Sequence, residues 1–340
     1  MPALDLDITY YPRGYPNLGL EARSLPLRWR RDASVPALIE RVERWEHDRF
    51  LNSSFELTIG RRIPASFAFE MAQVYVAMRE RFPSVAPEAV HVGTDVSDDT
   101  LAYAFGYAGD FPMLRSLGVE DLDSVDIDAL GADLDAVDRR LLRAEYRRRD
   151  GARNPMTAGT IDISSVFGSQ RRYRDLIVFW KRRNARAVIN ERPVRMPPLA
   201  TSPATMVLVH EFGHLVDAEL INGDIDAARY VYAALSACVF GDWPHSERQW
   251  RYHLWNYPTS ASEVAGAVQG GSRRRHANRQ ALRWVLGHAL TRYAAASRDE
   301  AFAEAFALTF CADTAQRRAL APFRRALRDV GMLRRPPRRP

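Results

Sequence analysis

Apolar residues recur with two different spacings in the first half of the chain, and each spacing predicts one kind of element. Apolar positions three or four residues apart predict helices at Val35–Phe50 and Ala65–Arg81. Shorter stretches in which apolar and polar residues alternate predict strands. The predicted strands are Ser54–Ile59, Ala89–Val92, Leu101–Tyr107 and Gly159–Val166. From residue 54 the chain therefore opens with the order β-α-β-β.

Helical spacing dominates the rest of the chain. A polar amphipathic helix is predicted at Ala129–Arg149 as an insertion between strands, and a shorter helix at Arg172–Arg183. The proline-rich linker Pro193–Pro203 then leads into the second half. Its predicted helices lie near Ala204–Leu220, Ile225–Val239, Asn278–Arg292 and Asp299–Ala312. A mixed sheet followed by a helical half is the α+β arrangement.

The chain divides into three segments by composition. Residues 1–50 are predicted to be an N-terminal extension, made of an irregular arm with prolines and arginines and one short helix. Residues 51–325 carry the regular succession of strands and helices, and we predict that they form one domain. Residues 326–340 are predicted to be a basic tail rich in arginine and proline.

Length and composition are those of a globular protein with a sizeable core, since 46% of the 340 residues are hydrophobic and 26% are charged. The first residues lack a basic start followed by an apolar run, so they do not form a secretory signal. No segment reaches the roughly 18 uninterrupted apolar residues of a transmembrane helix. We therefore predict no membrane partner, and a chain that is cytoplasmic or delivered by a non-classical route.

The net charge of +6 comes almost entirely from arginine, because Lys181 is the only lysine in the sequence. Such a bias is explained more simply by codon preference than by a choice made at each position. Acidic stretches such as Glu120–Asp128 interrupt the basic runs. Most arginines are therefore expected on solvated surface, and the charge pattern argues against a nucleic-acid partner.

A metal-binding pattern lies in the first helix of the second half, in the sequence His210-Glu-Phe-Gly-His214. Histidines four residues apart on a helix project from one face and can bind one metal ion. Glu211 lies beside His210, where it can take a proton from a metal-activated water without binding the metal itself. The competing interpretation is a helix with two exposed histidines, but the apolar run Met206–Val209 favours a buried helix.

A catalytic zinc site needs a third protein ligand, which must come from a distant part of the chain. The extension His-x-x-Gly-x-x-His is excluded, because aspartate stands at 217 and leucine at 220. Glu300 and Glu304 share one face of an apolar helix, where buried carboxylates require a partner. We predict Glu300 as the third ligand and Glu304 as the acceptor for the second ring N–H of a ligand histidine. Ser297 and Glu300 also fit a capping box, which is the structural alternative.

The sequence resembles the gluzincin metallopeptidases related to anthrax lethal factor and the Pro-Pro endopeptidases. The resemblance rests on His210-Glu-Phe-Gly-His214 followed by Asp217, and on Glu300-Ala-Phe-Ala-Glu304 with a tyrosine seven residues earlier. It implies a zincin-like fold, one Zn²⁺ as the cofactor, and a protein or peptide substrate. It covers two helices of the chain, and the 85 residues between His214 and Glu300 exceed the expected spacing.

The tyrosine that carries this resemblance is Tyr293. In the family, a tyrosine at this position points at the reacting oxygen on the metal, which implies that Tyr293 stabilises the oxyanion that develops on the peptide carbonyl. Without the resemblance, a tyrosine at the end of a helix would be interpreted as a packing residue. Tyr293 is therefore predicted to be catalytic together with Glu211.

Several further positions carry open alternatives. Asp217 is expected either to orient a ligand histidine or to occupy a solvated helix position. The aromatic segment within residues 240–275 is expected to form a lid over the cleft or an insertion packed on its own aromatic side chains. Gly213 is expected to let a neighbouring helix approach closely. The strand around Thr160–Ser164 is expected to border the cleft and to pair with an extended substrate.

These residues predict a zinc-dependent endopeptidase. The metal, held by His210, His214 and Glu300, makes water acidic, Glu211 takes a proton from that water, and the peptide carbonyl is attacked. Glu211 then transfers the proton to the leaving amine. The alternative is a catalytically silent module that keeps the fold and the metal, but such a module would need neither Glu211 nor Tyr293.

Overall fold

A computed structural model of the protein describes most of the helical half and the central sheet. The described residues are 34–52, 54–94, 102–105, 126–130, 132, 134, 139, 159–165, 188–189, 192–193, 199, 201, 203–241, 253–258, 264 and 273–334. The predicted arm before residue 34 and the predicted helix at Arg172–Arg183 lie outside these residues. So do most of the predicted helix at Ala129–Arg149 and most of the segment 240–275.

The described elements confirm the α+β class. The helices are α1 Val35–Phe50, α2 Ala65–Arg81, α3 Ile127–Leu130, α4 Pro203–Gly223, α5 Ile225–Phe240, α6 Arg273–Ala289, α7 Arg298–Cys311, α8 Thr314–Ala319 and α9 Ala321–Asp329. The strands are β1 Glu56–Ile59, β2 Ala89–Thr94, β3 Ala102–Phe105, β4 Thr160–Ser164, β5 Val188–Ile189 and β6 Arg192–Pro193. Two 3₁₀ turns are Leu254–Asn256 and Tyr293–Ala295. Among the described helices, none combines the length and apolar composition required to cross a bilayer.

The main sheet has the strand order β1-β2-β4-β3. β1, β2 and β4 are parallel to one another, whereas β3 runs antiparallel to β4. β4 is hydrogen-bonded on both sides and therefore has no free edge for a substrate, so the prediction that Thr160–Ser164 pairs with a substrate is wrong. β3 lies at the end of the strand order and contacts α4.

One face of the sheet belongs to the core. Leu57, Val90 and Ile161 lie side by side in the register of the three parallel strands, and all three are buried. Residues on the other face, such as His91 and Asp162, are only partly buried. α4 contacts β3, β4 and α2, so this helix lies between the sheet and the other helices. The alternation of apolar and polar residues in the strands thus determines which side of the sheet carries α4.

α4 and α7 form the most extensive helix pair in the described part of the protein. Gly213 permits this contact, because a methyl group built on it would lie 3.1 Å from Cα of Ala303 and 3.1 Å from Cδ1 of Phe306. α7 is surrounded by other elements along most of its length, since each residue from Ala301 to Cys311 is buried. The expectation that Gly213 allows close approach of a neighbouring helix is confirmed.

We expect Gly213→Ala to lower the free energy of unfolding by about 1 kcal/mol. Overpacking costs about 1–3 kcal/mol, and it opposes the gain of roughly 1 kcal/mol that alanine brings to a helix interior. Gly223→Ala is the matched control, because no atom lies within 4 Å of the added methyl group there. Urea unfolding of both variants and of the original protein tests the prediction. A free energy of unfolding of Gly213→Ala equal to that of the original protein would contradict it.

A buried ion pair between Glu46 and Arg79 links α1 to α2. Nε of Arg79 donates to Oε1 of Glu46 at 2.7 Å, and both side chains are almost fully buried. The guanidinium of Arg79 also lies 3.9 Å from the ring centroid of Phe50 and donates to the backbone oxygen of Pro83. Burial raises the pKa of Glu46 even though Arg79 opposes this shift. Leu38 of α1 is buried in the same apolar core as the helices that follow.

The folded part of the chain continues past residue 325, the predicted end of the domain. α9 extends from Ala321 to Asp329, across the predicted boundary, and both Ala326 and Leu327 are buried. Beyond it, Leu333 is buried, and the backbone N–H of Arg334 donates to the backbone oxygen of Arg81 at 2.9 Å. The chain thus returns to the end of α2 before its last residues.

Candidate metal centre

α4 presents two histidines to a common point. His210 and His214 are four residues apart, one turn of helix, and their Nε2 atoms are 3.2 Å from each other. The rest of the helix is anchored in the core by apolar residues such as Leu208, Phe212 and Leu215, which are buried. Apolar packing therefore fixes the helix backbone from which the two rings project.

α7 contributes a carboxylate to the same point. Oε2 of Glu300 lies 3.1 Å from Nε2 of His210 and 3.5 Å from Nε2 of His214. A tetrahedral zinc ion with bonds of about 2.0–2.1 Å has ligand atoms about 3.3 Å apart. The three separations in this protein lie around that value. The predicted ligand set of His210, His214 and Glu300 is therefore brought together at zinc dimensions.

The directions of these groups also fit a metal ion. Oε2 of Glu300 is buried and makes no hydrogen bond of acceptable angle, although two ring nitrogens lie within 3.5 Å. Ligands of one ion aim their lone pairs at a shared centre rather than at one another, which produces such short, bent contacts. A proton shared by two of the three atoms would leave the third unsatisfied. A divalent cation satisfies all three, so the residues present fit Zn²⁺.

The histidine and glutamate charges stabilise one another. Burial would lower the pKa of His210, but the carboxylates of Glu300 and Glu304 outweigh it and raise that pKa well above its ordinary value. Burial would raise the pKa of Glu300, but the two histidine rings hold it well below its ordinary range. The pKa of His214 is raised by Glu300 against the effect of burial. The carboxylates thus attract positive charge to this position, which a dication supplies.

Glu211 lies beside the three candidate ligands. It is buried, and an oxygen of its carboxylate lies within 4.8 Å of a ring nitrogen of both histidines. The limit of 4.8 Å is longer than the distance between two ligand atoms of one zinc ion. The carboxylate at ligand distance from the two histidines is that of Glu300. Burial raises the pKa of Glu211, partly offset by the two histidines and by the backbone N–H of Ala104 in β3, which donates to it. A buried carboxylate with a raised pKa is suited to accept a proton.

Glu304 lies behind His210, one helical turn after Glu300. Its Oε1 is 3.0 Å from Nδ1 of His210, in a contact whose angle departs from that of a good hydrogen bond. The predicted assignment of Glu304 to the second ring nitrogen of a histidine therefore agrees with its position. Such a carboxylate fixes the ring orientation and makes the other nitrogen a stronger ligand.

We expect Glu304→Gln to weaken zinc binding about 10- to 100-fold, because partners of this kind typically contribute that much to metal affinity. The glutamine keeps the shape but removes the charge that polarises His210. Thr309→Val is the control, since Thr309 is buried on the same helix and donates to the backbone oxygen of Ala305. Competition with a chromophoric zinc chelator measures both variants. A dissociation constant equal to that of the original protein would refute the role of Glu304.

Ser297 caps the helix that carries Glu300. Its Oγ accepts the backbone N–H of Glu300 at 3.1 Å, as the capping box predicts. The carboxylate of Glu300 is directed instead at the two histidines. The two interpretations of Glu300 are therefore compatible, because the cap uses its backbone and the metal site uses its side chain.

Tyr293 lies next to the candidate ligands, at the start of a 3₁₀ turn four residues after the end of α6. Its ring centroid is 5.8 Å from that of His210, and 55% of the residue is exposed. Partial burial and the nearby carboxylate of Glu300 raise its pKa well above the ordinary value. Tyr293 therefore keeps its proton at neutral pH and can act as a hydrogen-bond donor at the rim of the site.

Asp217 has a different partner from the one predicted. Both of its carboxylate oxygens accept the hydroxyl of Tyr232 in α5, at 2.9 and 2.8 Å. No histidine ring donates a hydrogen bond to Asp217 among the described residues, and the side chain of Asp217 is buried rather than solvated. Burial, together with the neighbouring charge of Asp299, raises the pKa of Asp217 to about 7. Asp217 thus links α4 to α5 through a buried hydrogen bond.

Sequence reasoning missed two groups at this site. The backbone N–H of Ala104 has no side-chain signature, and Tyr232 belongs to a helix whose pattern indicated only packing. Their proximity depends on how β3 and α5 pack against α4.

The chain was also compared with protein-family models, curated protein sequences and solved structures, and none of these comparisons gives a match.

Proposed function

We propose that this protein is a zinc-dependent endopeptidase. The observation that supports this most is the convergence of His210, His214 and Glu300 at separations of 3.1 to 3.5 Å. A fourth, acidic residue, Glu211, lies beside this triangle within 4.8 Å of the ring nitrogens. Three protein ligands leave one position of a tetrahedral ion open, which is the arrangement of catalytic rather than structural zinc.

When bound, Zn²⁺ supplies the Lewis acidity that makes water a nucleophile near neutral pH and polarises the peptide carbonyl. Glu211 has the position to accept the proton of the attacking water. Its carboxylate is held by the N–H of Ala104, so it does not need to reorient before the reaction. The same carboxyl group then delivers the proton to the leaving amine, which makes Glu211 first a base and then an acid.

Tyr293 is proposed to stabilise the oxyanion that develops on the carbonyl oxygen. Its hydroxyl is protonated, because partial burial and the nearby carboxylates keep its pKa well above neutrality. The half-exposed ring lies at the opening of the site, where a substrate carbonyl would enter. A donor fixed at this position before the substrate arrives lowers the energy of the transition state more than that of the ground state.

The backbone of the substrate is proposed to bind along β3. Among the strands that the structure describes, β3 is at the end of the sheet and antiparallel to its neighbour β4. An extended peptide can add to such an edge through backbone hydrogen bonds, which are independent of its side chains. Because Ala104 of β3 also holds Glu211, the peptide and the base would lie side by side. An edge strand, a His-Glu-x-x-His helix and a distant glutamate together support a zincin-like domain.

The first experiment combines metal analysis with cleavage of a mixed peptide library. We expect about one zinc per chain, cleavage at internal peptide bonds, loss of cleavage with 1,10-phenanthroline, and recovery on addition of zinc. A protein without zinc affinity would refute the proposal. Stoichiometric zinc without cleavage of the library or of denatured protein substrates would instead favour the catalytically silent module.

A further inference from the structure

Residues 253–258 form a short segment, with one 3₁₀ turn, that lies against α5 and the turn before α7. The backbone N–H of Leu254 donates to Oγ of Ser236 at 2.9 Å, and Leu254 is buried. Nδ1 of His253 accepts the N–H of Trp255 at 3.1 Å and closes the 3₁₀ turn. The rings of Trp255 and Tyr232 meet at 5.3 Å. The described part of the predicted insertion is thus packed on α5, not only on its own aromatic side chains.

The other end of this segment contacts the turn that precedes α7. The hydroxyl of Tyr257 donates to the backbone oxygen of Ala295 at 2.7 Å. The backbone oxygen of Pro258 accepts the N–H of Arg298 at 2.7 Å. Tyr257 is buried, and burial raises its pKa to about 12, so the hydroxyl acts as a donor at any neutral pH. The segment therefore holds the turn on both sides.

This turn connects Tyr293, the proposed oxyanion donor, with Glu300, the proposed third ligand. Tyr293 is its first residue, and Glu300 follows in the first turn of α7. A single 3₁₀ turn has poor hydrogen-bond geometry and is weakly stable without outside contacts. The first N–H groups of a helix likewise need partners from elsewhere. Ser297 supplies one such partner for α7, and Pro258 supplies another.

We propose that Tyr257 is a positioning residue. It fixes the turn between Tyr293 and Glu300, so that the hydroxyl of Tyr293 stays beside the metal site. The hydrogen bond to Ala295 lies two residues from Tyr293 and five from Glu300, so its effect on Tyr293 is the more direct. The catalytic part of this inference rests on the proposed endopeptidase function. The structural part, that Tyr257 immobilises the turn, does not depend on it.

The test compares Tyr257→Phe with the original protein and with Tyr230→Phe. Tyr230 is half-exposed on α5 and donates to Asp329 at 3.3 Å, so it controls for the loss of a tyrosine hydroxyl elsewhere. With a fluorogenic peptide that carries a cleavage sequence found in the library, we expect Tyr257→Phe to lower kcat about 10- to 100-fold, since small misplacements of catalytic groups have effects of this size. KM and the zinc content should stay within twofold.

A double-mutant cycle separates positioning from a general structural role. If Tyr257 acts through Tyr293, adding Tyr257→Phe to Tyr293→Phe should lower kcat by less than twofold, because the group being positioned is already lost. Multiplication of the two effects would overturn the proposal. A loss of zinc in Tyr257→Phe would also overturn it, because the residue would then maintain the ligand set as a whole.

Hydrogen exchange tests the structural part even if the protein cleaves nothing. We expect the amides of residues 293–298 to exchange about 5- to 10-fold faster in Tyr257→Phe, which corresponds to the loss of one hydrogen bond of about 1 kcal/mol. Exchange in α5 should be unchanged. Unchanged exchange at residues 293–298 would refute the anchoring itself. Faster exchange in a protein without peptidase activity would refute only the proposed function.

Discussion

Replacement of Glu211 by glutamine is expected to lower kcat about 10²- to 10⁴-fold, the usual contribution of a general base. Glutamine has nearly the same shape and can still accept the N–H of Ala104, but it cannot take a proton from water. The three groups at ligand distance are His210, His214 and Glu300, so the variant should keep one zinc per chain. Kinetics on a library-derived peptide and metal analysis test both statements.

The matched control for this experiment is Glu219→Gln. Glu219 lies two turns later on the same helix and is partly exposed, so its substitution changes the charge of α4 without touching the metal site. We expect activity within twofold of the original protein. Full activity in Glu211→Gln would remove the base from the mechanism, and loss of zinc in that variant would indicate that Glu211 is itself a ligand.

Removal of one histidine ligand is expected to abolish stabilisation by zinc. In the original protein, zinc at 100 times its dissociation constant should raise the free energy of unfolding by about 2.7 kcal/mol, because the metal binds only the folded state. The ligands come from α4 and α7, so the ion links two helices that are distant in sequence. His214→Ala leaves two ligands, and we expect neither stoichiometric zinc nor a measurable shift in unfolding.

His214 suits this test, because its side chain is 19% exposed and therefore not part of the fully buried core. His47→Ala is the control, since His47 is an exposed histidine on α1 whose ring contacts Asp48. Urea unfolding with and without zinc should separate the two variants clearly. If His214→Ala still binds one zinc per chain and gains the same stability, the assigned ligand set is wrong.

The sequence allowed prediction of those parts of the fold that local patterns control. α1 and α2 have the predicted bounds, and Ser34 with Pro36 marks the beginning of α1 through a side-chain cap and a proline in the first turn. The order of strands could not be predicted in the same way. β3 and β4 are separated by more than fifty residues, and their pairing depends on long-range contacts that no local pattern encodes.

The same division holds for the site. His210 and His214 could be predicted because helix geometry fixes their relation, and Glu300 because a carboxylate in an apolar helix requires a partner. The interactions of Asp217 and Tyr257 could not be predicted. Each side chain bonds to a group of another element, Tyr232 in α5 and Ala295 before α7. These two contacts depend on how the helices pack in the folded core, which a local sequence pattern does not encode.

The buried pair of Glu46 and Arg79 limits how this protein can be shortened. A chain that starts at residue 51 would lose Glu46 and leave the charge of Arg79 inside the core with no carboxylate beside it. An unpaired buried charge destabilises a protein by about 3–5 kcal/mol, which is a large part of the total stability of an ordinary domain. The smallest fragment that folds on its own must therefore include the helix that begins at Val35.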